Sequence, residues 1–373
     1  MPQHLTVHLD KPFSASVHGL RGAAAFAVVI FHWYQIFPAF SQQLDHIFPV
    51  GTVLNPVSFF GFGWLGVPLF FVLSGYLLGS KVIGEPLNTA FLTRFWRRRL
   101  LRIYPAVWIH LLVLLAVATQ IQGLVSPKMW DVLTSQFLLW INMPPQMHPP
   151  ISNVLWTLPI ELSFYLVLPL IGALSRRISW YALLAGALFV TIGWRGYLIQ
   201  TEALQNYVAL LPWLDMLPGT LFTFMAGYSL NYLPALASRR VARWGLIISL
   251  VAFVALLQWQ LLLNDVYWTG HWILIIWPPC IALTIAGIVY FCDQSVRPID
   301  FLAHPVMIWL GNISFGVYLW HYPIMRAMTL VTPDTWLSTW GSVVAMPVAL
   351  MITLPIATLS YRLIERPLMG WGS

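Results

Sequence analysis

The segment RGAAAFAVVIFH (21–32) carries an arginine at one end and a histidine at the other, and no charged or hydrogen-bonding side chain between them. Eleven helical steps turn a chain about 1100°, roughly 20° past three full turns, so Arg21 and His32 share one helix face about 16 Å apart. An imidazole exchanges protons near neutral pH, and a guanidinium grips anions. Singly, each has a plainer reading: Arg21 as an anchor at a membrane surface, His32 as a hydrogen-bonded packing residue. Together on one face they mark a polar track along the helix.

Two further segments supply partners. In LWTLPIELSFYLVLP (155–169), Glu161 falls about 10 Å into an apolar run, at a depth similar to that of His32. A carboxylate there can orient an imidazole or stabilise the imidazolium. In NISFGVYLWHYP (312–323), Ser314, Tyr318 and His321 follow i, i+4, i+7 spacing and make one polar stripe. Such a stripe also serves plain interhelical hydrogen bonding. The chemical reading makes His32 a general base, Glu161 its orienting partner, and His321 or Tyr318 the donor to a developing oxyanion. Ser74, in LSGYLL, reads as small-residue helix packing beside Gly75 rather than as a nucleophile.

A second chemistry is concentrated in RFWRRRLLRIYP (94–105), with Arg94, Arg97, Arg98, Arg99 and Arg102 and no lysine. Arg94, Arg98 and Arg102 have single-face spacing, and Arg99 lies beside Arg102 at i+3. The cluster serves as a topology signal or an anionic-lipid contact. Its all-arginine make-up also suits a ligand with several phosphates, because guanidinium binds phosphate through a planar two-pronged fork.

The elements that must hold these groups are transmembrane helices. Of 373 residues, 59% are hydrophobic and 8% charged, against about a quarter charged in soluble domains. Apolar runs near 17–37, 61–80, 101–121, 154–174, 179–198, 208–232, 243–263, 271–292, 306–326 and 339–363 each match the length needed to cross about 30 Å of hydrocarbon. The expected fold is an all-α polytopic bundle of about ten spans in a single domain, residues 1–373, with both termini cytoplasmic. All 19 basic residues except Lys128, Arg195 and Arg326 then fall on the cytoplasmic side. The run 130–142, with Asp131 and Gln136, is placed outside the membrane core. Residues 1–17 are too polar for a cleavable signal, so the first span must direct insertion. Cys280 and Cys292 sit within one apolar stretch and read as space-filling rather than as a disulfide or metal site. The net charge of +7 reflects clusters between spans and not a nucleic-acid surface.

These motifs, in this order, resemble acyltransferase family 3, integral membrane proteins that O-acylate surface polysaccharides and other acceptors. The resemblance rests on GLRGAAAFAVVIFH, with an Arg-x10-His spacing at Arg21 and His32, GVPLFFVLSGYLL at 66–78, RRRLLRIYP at 97–105, LWTLPIELSFYLVLP at 155–169, ISFGVYLWHYP at 313–323 and SYRLIERP at 360–367. Two departures stand out: His18 occupies the place of a common acid before Gly19-Leu20-Arg21, and the soluble esterase-like module of some relatives is not expected here. The resemblance implies acetyl-CoA or another short acyl-CoA as donor, no metal, and a polysaccharide or lipid-linked oligosaccharide acceptor at the bacterial inner membrane. Arg98, Arg99 and Arg102 would hold the coenzyme phosphates, with Arg21 lining the path of the pantetheine arm to His32. That scheme requires a passage joining the arginines to His32. A transporter or flippase with a polar track, or a structural member of a polysaccharide assembly complex, are the other readings of many spans with buried polar groups.

Overall fold

The computed structural model describes residues 14–122, 127–201, 207–267, 269, 271–294 and 299–371. Among these there is no β-strand; the chain is an all-α polytopic membrane protein. Lys11 and Arg297, both counted in the charge asymmetry, lie outside the described residues, as does the side chain of Lys128.

The helices that matter for the site are α1 (Ala15–Ile36), α2 (Gly66–Val82), α3 (Thr89–Gln122), α4 (Pro127–Phe137), α5 (Thr157–Leu174), α6 (Trp180–Thr201), α7 (Tyr207–Leu214), α8 (Leu217–Ser229), α9 (Arg239–Leu262), α10 (Ile273–Asp293), α11 (Pro305–Val331) and α12 (Thr339–Ser360). Side chains set several of the starts. Ser14 accepts from Val17 N, Ser238 from Val241 N and Ser338 from Gly341 N, each satisfying an orphan amide of a first turn. His304 does the same for α11, with Pro305 at the first helical position, where its missing N–H costs nothing.

Among the described residues, eight helices are long and apolar enough to cross a membrane, starting with Ala15–Ile36 and ending with Thr339–Gly370. The expected span 208–232 is instead two short helices, α7 and α8, parted at Asp215 and Met216 between Pro212 and Pro218. Proline removes a ladder hydrogen bond and breaks the helix. Arg195 of α6 fills the break: it donates to Gly219 O at 2.8 Å and Leu274 O at 2.9 Å, and pairs with Asp215 at 3.3 Å. Only 5% exposed, this guanidinium is a buried bracket across α6, α8 and α10. The helix α4, at 11 residues, spans about 16 Å and is too short to cross, as expected of 130–142.

The centre of the bundle is the pair α1 and α11. They run parallel: Gly22 meets Met307, Arg21 meets Ser314, and His32 meets His321. Their backbones nearly touch, because a Cβ on Gly19 would stand 2.1 Å from Leu302 O and one on Gly311 would stand 2.1 Å from His18 O. Small residues let helices approach in just this way where lipid gives no hydrophobic drive for association. α2 lies antiparallel to α1, with Gly63 against Ala27 and Gly66 against Ala24. It runs parallel to α5, since Ser74 meets Glu161 and Gly172 meets Val82.

Substituting Gly311 by alanine forces one backbone off the other. It should lower stability by about 1–3 kcal/mol, read as a fall in melting temperature in detergent. Gly186→Ala, in open space on α6, should be neutral or slightly stabilising.

Candidate active site

Two polar layers cross the bundle, one turn or more apart. The first is the arginine layer. α1 presents Arg21, whose Nη2 donates to Ser314 Oγ of α11 at 3.4 Å. α3 brings Arg99 and Arg102, and α5 brings Glu161. Glu161 Oε1 accepts from Ser74 Oγ at 3.0 Å and from the hydroxyl of Tyr165, one turn further along the same helix. Arg21, Ser74, Arg102, Glu161, Tyr165 and Ser314 line a cavity walled otherwise mostly by apolar side chains. Glu365 closes this layer from the last span. It is 3% exposed, accepts from Ser360 Oγ at 3.2 Å, and ends a π-helical turn, Tyr361–Glu365. Such turns are rare and concentrate at functional sites. Arg21 and Arg102 lie within Coulombic range of Glu365, and Arg21 of Glu161 as well.

Three guanidiniums thus face two carboxylates, so the layer favours an anion. Arg99 is the least satisfied of the three: its Nε is buried without a hydrogen-bond partner, and its guanidinium packs over Phe95 at 5.8 Å. Arg94, Arg97 and Arg98 are exposed. The inward-turned pair on α3 is therefore Arg99 and Arg102, and the Arg94, Arg98, Arg102 face is divided between surface and cavity.

The second layer is built of imidazoles. His32 Nδ1 lies 2.9 Å from His321 Nε2, and His321 Nδ1 lies 2.8 Å from Val317 O. A carbonyl only accepts, so His321 carries its proton on Nδ1. In the neutral pair His321 Nε2 then accepts from His32 Nδ1–H, which leaves His32 Nε2 with a free lone pair. His321 is fully buried while His32 keeps 7% of its surface exposed, so of the two rings His32 is the one a substrate can reach.

Four expectations are changed by this arrangement. Glu161 does not sit at the depth of His32 and is hydrogen-bonded to Ser74 and Tyr165 rather than to an imidazole. The reason is where α5 begins: Thr157, its first residue, already bonds Tyr318 at 2.9 Å, and Glu161 lies one turn beyond, level with Ser314. Ser74, read as packing, instead faces the cavity. The packing falls to Gly75, where a Cβ would be 1.9 Å from Phe224 O. The passage from arginines to His32 is interrupted in this structure. The cavity ends at Thr157, Phe70 and Tyr318, and neither His32 nor His321 forms part of its wall. Both ring nitrogens of His321 and the hydroxyl of Tyr318 are engaged, so neither group is a ready oxyanion donor.

The model of an acyltransferase domain matches residues 14–362. The chain belongs to acyltransferase family 3. Among curated relatives, it is 25% identical to the peptidoglycan O-acetyltransferase OatA of Listeria monocytogenes, over 98% of this chain and 57% of that protein. It is 26% identical to Nodulation protein 10 of Rhizobium leguminosarum bv. viciae, over 91% and 92% respectively. A putative O-acetyltransferase of Staphylococcus aureus, SAS0844, is 25% identical over 98% of this chain and 59% of its own length. The chain thus spans under three-fifths of the length of two of these three family members. No solved structure matches it.

Sequence reasoning missed one residue of the imidazole layer. His110 of α3 is fully buried and packs edge-on against Trp320 of α11, ring centroids 4.8 Å apart. A signal was present. Arg99 and His110 repeat the eleven-residue spacing of Arg21 and His32, so this family member carries an arginine and an imidazole on one face of each of two helices.

Removing the negative charge opposite these arginines should strengthen anion binding. Glu161→Gln is expected to tighten inorganic pyrophosphate by roughly an order of magnitude in calorimetry, the sign following from Coulomb attraction in a poorly solvated site.

Proposed function

We propose that this protein is a bacterial inner-membrane O-acetyltransferase. It takes the acetyl group from cytoplasmic acetyl-CoA and gives it to a hydroxyl of a surface polysaccharide or its lipid-linked repeat. The observation that carries the reading is the His32–His321–Val317 chain. It holds an imidazole by one nitrogen, fixes its tautomer, and leaves the other nitrogen basic. The names of the Listeria and Staphylococcus relatives, both O-acetyltransferases, support the same transfer.

Arg99, Arg102 and Arg21 hold the coenzyme phosphates, and the orphaned buried Nε of Arg99 fits a missing anionic partner. Arg98, at the exposed edge of the cluster, adds attraction at the mouth. The pantetheine arm rises through the cavity lined by Arg21 and Ser314. From there to His32 is about 16 Å along α1, within reach of such an arm. Tyr318, hydrogen-bonded to Thr157, closes the path between the layers and swings aside when the arm enters. His32 Nε2 removes the proton of the acceptor hydroxyl as its oxygen attacks the thioester carbonyl carbon. His321 shares the positive charge that develops. Glu161 keeps Arg21 and Arg102 extended toward the cavity and does not itself touch the reacting atoms.

The bias of basic residues supports the orientation with both termini cytoplasmic. α1, α3 and α11 then run outward and α2, α5 and α8 inward, which puts the arginine layer on the coenzyme side.

His32→Ala should abolish acetylation of the surface glycan, measured by NMR of the isolated polysaccharide; full acetylation by a well-expressed variant would refute the base assignment. Arg99→Ala and Arg102→Ala should each weaken coenzyme A binding about tenfold or more in calorimetry, with a flatter salt dependence than the parent.

A further inference from the structure

Beside the paired imidazoles, the contact between α3 and α11 contains three buried polar nitrogens with no hydrogen-bond partner: both ring nitrogens of His110 and the indole Nε1 of Trp320. They belong to two side chains in direct edge-on contact. One unsatisfied buried group is unusual in a native protein, and each costs about 1–3 kcal/mol. Three at one point, in an apolar bundle, mean that something supplies the partner.

The chemistry of that partner is narrow. Indole N–H is a donor only, and a neutral imidazole gives one donor and one acceptor. The group that satisfies them is a neutral oxygen, either a carbonyl that accepts from both or a hydroxyl that accepts from the indole and donates to the imidazole. An anion is disfavoured because the side chain that acts electrostatically on His110 is the His321 imidazole, in contrast to the arginine layer. Trp320 is also the immediate neighbour of His321 in sequence, and His110 lies within Coulombic range of His321.

We infer that His110 and Trp320 form an oxygen-binding subsite that positions a reacting oxygen of the substrates beside the His32–His321 pair. The inference rests on acyl transfer at His32. It supplies the donors that His321 and Tyr318 lack, since their polar atoms are already engaged. In the transfer, the acceptor O–H loses its proton to His32 Nε2 and a new C–O bond forms at the thioester carbon. The carbonyl electrons move onto oxygen, where Trp320 N–H and the His110 N–H hold them. Collapse then breaks the C–S bond, and the coenzyme thiolate takes the proton back from His32. If the bound oxygen is the acceptor's, the same two side chains hold the hydroxyl before it attacks.

The test uses membranes carrying the full chain, supplied with acetyl-CoA labelled in the acetyl group. Two products are followed: label in endogenous glycan, and labelled acetate released to water. Trp320→Phe keeps the ring and deletes the N–H. His110→Leu deletes both nitrogens, and His110→Gln restores a donor and an acceptor. A carbonyl subsite lowers kcat for transfer and for hydrolysis alike by roughly 10²-fold in Trp320→Phe, with the KM for acetyl-CoA unchanged. A subsite for the acceptor hydroxyl lowers transfer but leaves hydrolysis intact. In both cases His110→Gln recovers part of the rate lost in His110→Leu. Parental rates in Trp320→Phe and His110→Leu would overturn the inference. So would losses that track a fall in melting temperature and are not relieved by His110→Gln. His32→Ala is run alongside: if it still transfers acetyl, the failure is in the base assignment, and if it is inactive while Trp320→Phe is not, only the subsite is wrong.

Discussion

Hydrocarbon offers no hydrogen bonds, so a polar side chain placed within a membrane bundle finds its partner in the chain itself or in what the chain binds. The close approach of α1 and α11 is where this constraint is met. Glycines at 19, 22 and 311 bring the two backbones together, and the contact is what lets Arg21 reach Ser314 and His32 reach His321. A bulkier residue at any of the three would separate the helices and strand both polar groups in an apolar medium. The catalytic geometry and the packing of this bundle are therefore one problem and not two.

From that seam the rest of the site divides by charge. At one level, guanidiniums outnumber carboxylates and border a cavity; at the other, imidazoles are tightly packed and nearly sealed. Between them stand Thr157, Tyr318 and Phe70, with Phe70 and Tyr318 in edge-on ring contact at 6.3 Å. The function proposed above, with a charged carrier drawn to one layer and proton chemistry at the other, needs such a partition to keep a water path from opening through the membrane. Buried imidazole chemistry also benefits from dryness, because interactions between a base and its partners strengthen when water is excluded.

The segment between α4 and α5 contributes in a way its composition conceals. Rich in proline and aromatic residues, it reads as a stiff external loop. Yet Leu139, Ile141, Val154 and Leu155 are buried in the core that surrounds α3 and α5. Gln136, whose polarity argued for exposure, is fully buried and pins the segment: its Nε2 donates to Pro149 O at 3.1 Å and its Oε1 accepts from Ile151 N at 3.1 Å. Tyr104 and Trp108 of α3 anchor the same stretch by donating to Leu138 O and Phe137 O. A polar side chain with two backbone partners is as much at home in a core as a leucine, and hydropathy alone does not register the difference.

Periodicity and composition determined the all-α membrane fold, the shared face of Arg21 and His32, the polar stripe of α11 and the arginine-rich start of α3. These follow from the fixed 100° step of a helix and the fixed thickness of a bilayer, both of which act on the chain one residue at a time. What the tertiary structure decided is which faces meet and at what height. Glu161 was misjudged in depth because helix arithmetic needs a starting point, and α5 starts lower in the bundle than the apolar run suggested. His110 shows in the sequence only through its eleven-residue spacing from Arg99; its neighbours Trp320 and His321 are more than 200 residues away. The partners of Arg195, Gly219 O beside the break in the opposite helix and Leu274 O of α10, come together only once the helices are packed. Depth, register and pairing depend on contacts between distant segments, and those are set by the packing of the whole bundle rather than by any stretch of it.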